Sequence, residues 1–358
     1  MPTESLDLSP VATTRHPLAV RRILRLALGT SLCLGVTQLL LASPLAFIAP
    51  LFTLMMLSLP IPAPGIRKGM VFILALLAPM VAGLALLPLL HHARWSGILL
   101  VALALFYSFL FTTRGGNPVL GMFMTVGLTV VVTIGSVSID VLIVLIQVIG
   151  SCAAVGMVFV WFAHALLPDP PREGGPAPKP PPPEQPPPGL AARRAFRGWI
   201  VVFPLALVFM FMSASPSYTV VMIKAASMGQ QANTQDSRAL GRSLLASTLW
   251  GGLGAVIIWQ LLAMWPSLVF YVLLFAVTCL FFGRRIFQGP GMHPKANEFS
   301  YALVTLLIIL GPAVTTPSGD AGAAFYTRLG LILLVGVYGT AAVAIFDRFF
   351  GQHKPARE

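Results

Sequence analysis

Lys224 is the residue of this chain most at odds with its surroundings. It stands in SASPSYTVVMIKAASMGQQ, residues 213–231, and that stretch holds no acidic residue to pair with it. An ammonium in an apolar segment is costly unless it faces a cavity, a partner or water, which makes it a candidate counter-charge for an anionic ligand. Ser217, Ser227 and Gln231 stand at helical spacings around it, so a helix here would gather polar groups on the same side. The competing reading is snorkelling, in which the four-carbon stem carries the charge to an interface. Asp140 and Asp320 form a second pair of interest, each following a serine by two positions. Carboxylates there could exchange protons with solvent, or they could cap the helix that follows.

Bond-making chemistry finds little support. A membrane enzyme would need nucleophiles, carboxylate pairs or metal ligands brought together, whereas the aspartates here are isolated and the histidines scattered. His91 and His92 are adjacent in a short loop, a poor spacing for metal ligation. Cys33, Cys152 and Cys279 each lie alone in an apolar run and read as small core residues, with neither a disulfide nor a metal site implied. TTRGGNP at 112–118 lacks the Lys-Ser/Thr that completes a phosphate-binding loop. We therefore expect no catalytic residues, no metal and no cofactor.

The elements that must hold Lys224 follow from composition. Of 358 residues, 57% are hydrophobic and 9% charged, against about 25% charged in soluble domains. Apolar runs long enough to cross a bilayer recur throughout, so the expected fold is an all-α polytopic membrane protein. The +12 net charge does not point to nucleic acid, because the basic residues sit singly or in small groups between apolar runs. Twelve runs are expected as spans, with the short second run of each set re-entrant as the alternative (10 to 12 spans): 23–42, 45–60, 69–90, 96–112, 118–135 and 139–167, then 198–213, 216–231, 240–264, 267–283, 299–313 and 324–350. The first, though followed by LASPLA, has a long polar lead and is read as an uncleaved span.

Direction comes from the loops. With the N-terminus cytoplasmic, every one of the 23 basic residues except Arg94, Lys224 and Arg328 lies on the inner side, as the inside-positive rule requires. The expected layout is a cytoplasmic tail 1–22, a transmembrane repeat 23–167, a cytoplasmic linker 168–192, a second repeat 193–350 and a cytoplasmic tail 351–358. The linker PDPPREGGPAPKPPPPEQPPPGLAA holds 12 prolines in 25 residues. It favours extended polyproline II and reads as a spacer, reaching about 78 Å at about 3.1 Å per residue.

The two sides of the linker repeat one another. Arg21-Arg22-x-x-Arg25 recurs as Arg193-Arg194-x-x-Arg197, an offset of 193 − 21 = 172, and the same offset carries Ala42-Ser43-Pro44 onto Ala214-Ser215-Pro216. Later, Ser138-x-Asp140 maps onto Ser318-x-Asp320 at offset 180. Six spans per half makes the repeats parallel, and such architectures place a site between the halves. Offset 172 pairs Lys224 with Phe52, each eight positions beyond its Ser-Pro turn, about 12 Å into the membrane. Pro50 is expected to interrupt the first short segment and Gly229 to close the second. The candidate substrate-binding set is Lys224, Phe52 as an aromatic wall, Ser43, Ser215 and Gln231, with Asp140 and Asp320 as proton-coupling candidates.

The segments RRILRLALGTSLCLGVTQLLLASPLAFIAPLFTLMMLSLP and GIRKGMVFILALLAPMVAG resemble the fusaric acid resistance-like group of inner-membrane proteins. More narrowly, the chain is similar to a bacterial branch of that group of unknown function. The resemblance implies a bacterial inner-membrane subunit exporting small, often aromatic, organic acids with a periplasmic membrane-fusion adaptor. Relatives with that activity carry large cytoplasmic domains, where this chain has only its linker and the tail GQHKPARE. An anion channel and a scaffold subunit without a substrate site remain open, as does homo-oligomerisation. The topology gives the first prediction. Cysteines introduced as Gly175→Cys and Gly289→Cys should react only with reagents entering from the cytoplasm, and Ser217→Cys at or near the outer face. Labelling of Gly175→Cys from outside intact cells would contradict it.

Overall fold

The structure, a computed structural model, describes residues 17–41, 45–135, 139–169, 187–211, 216–234, 237–288, 291–314 and 321–350. The first part of the chain forms α1 (Pro17–Leu41), α2 (Ile48–Leu57), α3 (Ile66–Leu84), α4 (Leu87–His92), α5 (Arg94–Thr113), α6 (Pro118–Gly135) and α7 (Ile139–Leu166). The second forms α8 (Pro188–Phe211), α9 (Pro216–Thr234), α10 (Ser237–Met264), α11 (Leu268–Ile286), α12 (Ala296–Val314) and α13 (Ala321–Phe350). Between α11 and α12 lies a two-residue antiparallel hairpin, β1 (Phe287–Gln288) and β2 (Gly291–Met292), pairing Phe287 with Met292.

Helix is the expected answer for these runs, because a bilayer offers backbone N–H and C=O groups no water to bond. Among the described residues nine helices are long and apolar enough to cross a membrane; α2 and residues 120–131 of α6 are shorter apolar helices. The chain is thus a multi-pass helical membrane protein. Its outward face is apolar: Val269, Leu273, Val277 and Phe281 form an exposed stripe along α11, and Leu99, Leu103 and Tyr107 another on α5. Stripes of that extent would drive aggregation in water and fit lipid contact instead.

Burial separates an inner group of helices from an outer one. Residues 221–230 of α9, 302–313 of α12 and 48–54 of α2 are buried without a break, and residues 121–131 of α6 nearly so. A helix buried on every side belongs to a core. Around this group, α1 packs on α2, α7 and α11, and α8 packs on α9, α13 and α5. Likewise α3 packs on α6 and α10 on α12, while α9 itself contacts α6, α12 and α13.

Close approach needs small residues at the crossings. Gly198 of α8 and Gly229 of α9 meet back to back: a Cβ on Gly198 would stand 2.8 Å from the Gly229 carbonyl oxygen, and one on Gly229 2.9 Å from Cζ of Phe109 and in collision with Val202. Gly229 therefore does not close its helix; α9 runs on to Thr234. Pro50 is the third residue of α2, where the backbone N–H has no intrahelical partner to lose, so it begins that helix and does not interrupt it. Both basic clusters lie within helix, since α1 starts at Pro17 and α8 at Pro188. The helix thus takes in the last five residues of the segment read as linker.

At one end of the bundle, buried arginines tie helix starts to helix ends. The Arg25 guanidinium donates to Asp169 at 2.6 Å and to the Leu167 carbonyl at 2.8 Å, while Arg21 donates to the Pro168 carbonyl at 2.8 Å. Burial raises the Asp169 carboxyl, but the hydrogen bond and charge of Arg25 outweigh it and hold that group below its ordinary range. Its contribution is therefore present above pH about 4 and lost as pH falls through the lowered value. On the other side of the chain, Arg197 faces Asp347 at 3.6 Å.

The crossing at Gly229 is the sharpest packing constraint here. Gly229→Val should destabilise the purified protein by about 1–3 kcal/mol through overpacking. Gly330→Ala, which meets nothing within 4 Å, should be neutral or stabilising by up to about 1 kcal/mol. Thermal unfolding in detergent measures both.

Candidate functional site

Lys224 is completely buried. Its Nζ donates to Oγ1 of Thr305 on α12 at 2.6 Å, so the ammonium does not snorkel. Thr305 in turn donates to the Tyr301 carbonyl at 2.7 Å, one turn back on its own helix. That bond fixes the hydroxyl so that its oxygen is presented to Lys224. No carboxylate pairs with Lys224 among the described residues. A single neutral hydroxyl replaces only part of an ammonium's hydration shell.

The same arrangement recurs six residues along α9, about 9 Å away. Gln230 donates from Nε2 to Oγ1 of Thr125 on α6 at 2.8 Å. Thr125 donates to the Gly121 carbonyl at 2.9 Å and so accepts from the Ser108 hydroxyl of α5 at 2.9 Å. Between these two points, Ser227 returns its hydroxyl to the Lys224 carbonyl at 2.7 Å. Helix α9 therefore reaches into both α6 and α12 through a threonine that bonds its own i−4 carbonyl. It presents a side-chain amide to one and a lysine amino group to the other.

Phe52 is held elsewhere, its ring stacked on Phe123 of α6 at a centroid distance of 5.6 Å and 17° between planes. The structure thus holds Lys224 through α12 and Phe52 through α6. Ser43, Ser215 and Asp320 lie outside the described residues, as do the side chains of Ser217 and Gln231. Asp140 is exposed in the first turn of α7, where a carboxylate complements the helix N-terminus. Of the glutamines inside spans, Gln260 bonds Tyr326 across α10 and α13 at 2.9 Å. Gln147 is exposed, and Gln38 is buried with its amide nitrogen unpartnered. All three cysteines are free and buried, as small core residues are.

Sequence reasoning missed Thr305, Thr125 and Gln230. The signal was present: the offset of 180 that relates Asp140 to Asp320 also carries Thr125 onto Thr305 and Gly121 onto Tyr301. The Arg25–Asp169 and Arg197–Asp347 pairs were missed too, although their arginines stand at offset 172.

A family described as proteins of unknown function, DUF2955, matches residues 22–164, which is most of α1 through most of α7. No curated protein and no solved structure matches the chain.

The geometry separates stability from function at this site. Thr305→Val removes the one acceptor that Lys224 has among the described residues and should cost about 1.5–3 kcal/mol. Lys224→Met removes the charge itself and should leave thermal stability equal or higher. Unfolding of the two purified variants in detergent checks the contrast.

Proposed function

We propose that this chain is the membrane subunit of a bacterial inner-membrane exporter for small organic anions, with Lys224 as the substrate's counter-charge. The observation that carries this reading is the Lys224 ammonium, wholly buried in an inner helix and bonded to one hydroxyl. A buried charge left in that state is expensive, and such residues mark ligand or ion pathways in membrane proteins. An anion entering the site completes the coordination, and the cost of burial becomes binding selectivity for negative charge. Thr305 then orients the ammonium, and Gln230 with Thr125 offers a neutral polar step along the same helix.

Two parallel repeats joined by a cytoplasmic Pro-rich linker are part of the proposal. The packing supports it: α1 on α11 has its counterpart in α8 on α5, α2 on α7 in α9 on α13, and α3 on α6 in α10 on α12. Each equivalence takes a helix of one half to the matching helix of the other. The pairs Arg25–Asp169 and Arg197–Asp347 fit the same relation. In this layout both termini are cytoplasmic and α9 descends from the outer face. A periplasmic membrane-fusion adaptor as partner follows from the resemblance noted in the sequence.

Benzoate serves as the test substrate. Deleting the gene should slow benzoate efflux from loaded cells and sensitise growth to weak organic acids. Lys224→Gln at normal protein level should abolish the complementation, and Lys224→Arg should retain part of it. Full efflux by Lys224→Leu would sink the proposed site. Full efflux in the deletion strain would leave a scaffold role in its place.

A further inference from the structure

The described residues bury four cationic side chains, Arg25, Arg197, Lys224 and Arg328. Arg25 and Arg197 have aspartate partners, and Lys224 has Thr305. Arg328 has none of these. It is 8% exposed, and its Nε and Nη1 are both buried without a hydrogen-bond partner. Among the described residues no aromatic ring lies under its guanidinium, although Arg94 and Arg285 each have one. Of the two rings just before it, Phe325 is stacked face to face on Trp259 of α10, at 4.8 Å and 6°, and the Tyr326 hydroxyl bonds Gln260. A buried guanidinium in this state calls for an acceptor that the described residues do not supply.

Its position relates it to Lys224. Arg328 shares the buried stripe of α13 with Phe325, Ile332 and Val335, and α13 packs against α9. Helix α13 runs antiparallel to α8, since Phe346 meets Phe196 and Tyr338 bonds the Ile200 carbonyl. A four-residue connection joins α8 to α9, so α9 and α13 run the same way. A Cβ on Gly339 of α13 would stand 2.6 Å from the Met228 methyl of α9, which sets their register. Counting back from that contact puts Arg328 seven residues beyond Lys224, or about 10 Å nearer the N-terminal ends of both helices.

We propose that Arg328 forms a second anion subsite on the α9–α13 seam, taking a carboxylate as it passes between Lys224 and the membrane face opposite the linker. This rests on the anion-transport reading above. A donor fork without acceptors suits a carboxylate, and a second cation about 10 Å along the seam gives the anion a place to go when it leaves Lys224. Neither site then holds the anion so tightly that transport stalls.

The test uses the full chain in sealed vesicles of both orientations, with labelled benzoate as the probe and half-saturation measured on each face. Arg328→Gln should raise the half-saturating concentration about tenfold or more on the face opposite the linker, as expected for loss of a charged partner, and leave the linker-face value unchanged. Arg328→Lys should recover part of the loss. Arg328→Met should unfold at no lower a temperature than wild type, because it removes a buried unpaired charge. Unchanged values on both faces, equal shifts on both faces, or a lowered unfolding temperature would each overturn the subsite while leaving the transport reading standing. Absence of saturable benzoate exchange in wild type would bring down the transport reading, and the subsite with it.

Discussion

A charge inside a bilayer has no water to fall back on, and this structure is organised around that fact. Arg25 and Arg197 are buried but meet aspartates that reach solvent, and their pairs clamp helix starts to helix ends. Among the described residues, Lys224 is bonded to a hydroxyl alone. The difference matters because a paired buried charge is a structural fastening, whereas one left short of partners is a cost the fold retains without structural return. That contrast is the reason to propose a functional role for Lys224 and a structural one for the arginine pairs.

The inner helices make this burial feasible. Helix α9 carries a lysine, serines and glutamines, and would be a poor span facing lipid. It is tolerated because α6, α8, α12 and α13 cover it and because Gly198 and Gly229 let α8 approach closely. Each polar side chain whose bonds are resolved along its buried stretch finds a carbonyl or a threonine: Lys224 takes Thr305, Ser227 its own helix, Gln230 Thr125. The apolar residues of α5 and α11 meanwhile form the lipid-facing surface. The core stays mostly apolar and the outward face is apolar too, so the polar residues of α9 sit inside an otherwise apolar bundle, as a hydrocarbon solvent allows.

The apolar runs announced the helices, because length and hydropathy are sufficient where backbone hydrogen bonds must be made internally. Their ends were less legible. The segments before Ile23 and Trp199 are basic and contain alanine and leucine, which favour helix well outside hydrocarbon, and prolines at 17 and 188 suit a first helical turn. Pro50 and Gly229 misled because their effect depends on position: a proline in the first turn breaks nothing, and a glycine at a crossing serves packing. Lys224 stood out in the sequence as a lone charge. Thr305 and Thr125 did not, since a threonine inside an apolar helix usually bonds its own backbone, and only the packing of α9 between α6 and α12 shows which ones face a donor.

The central claim is that the buried ammonium of Lys224 exists to meet an anion, and equilibrium binding tests it without depending on transport or topology. Labelled benzoate should bind the detergent-purified protein saturably. The affinity should fall about tenfold or more in Lys224→Met, a loss of at least about 1.4 kcal/mol, while the variant unfolds at or above the wild-type temperature. Equal benzoate affinity in the two proteins would contradict the account.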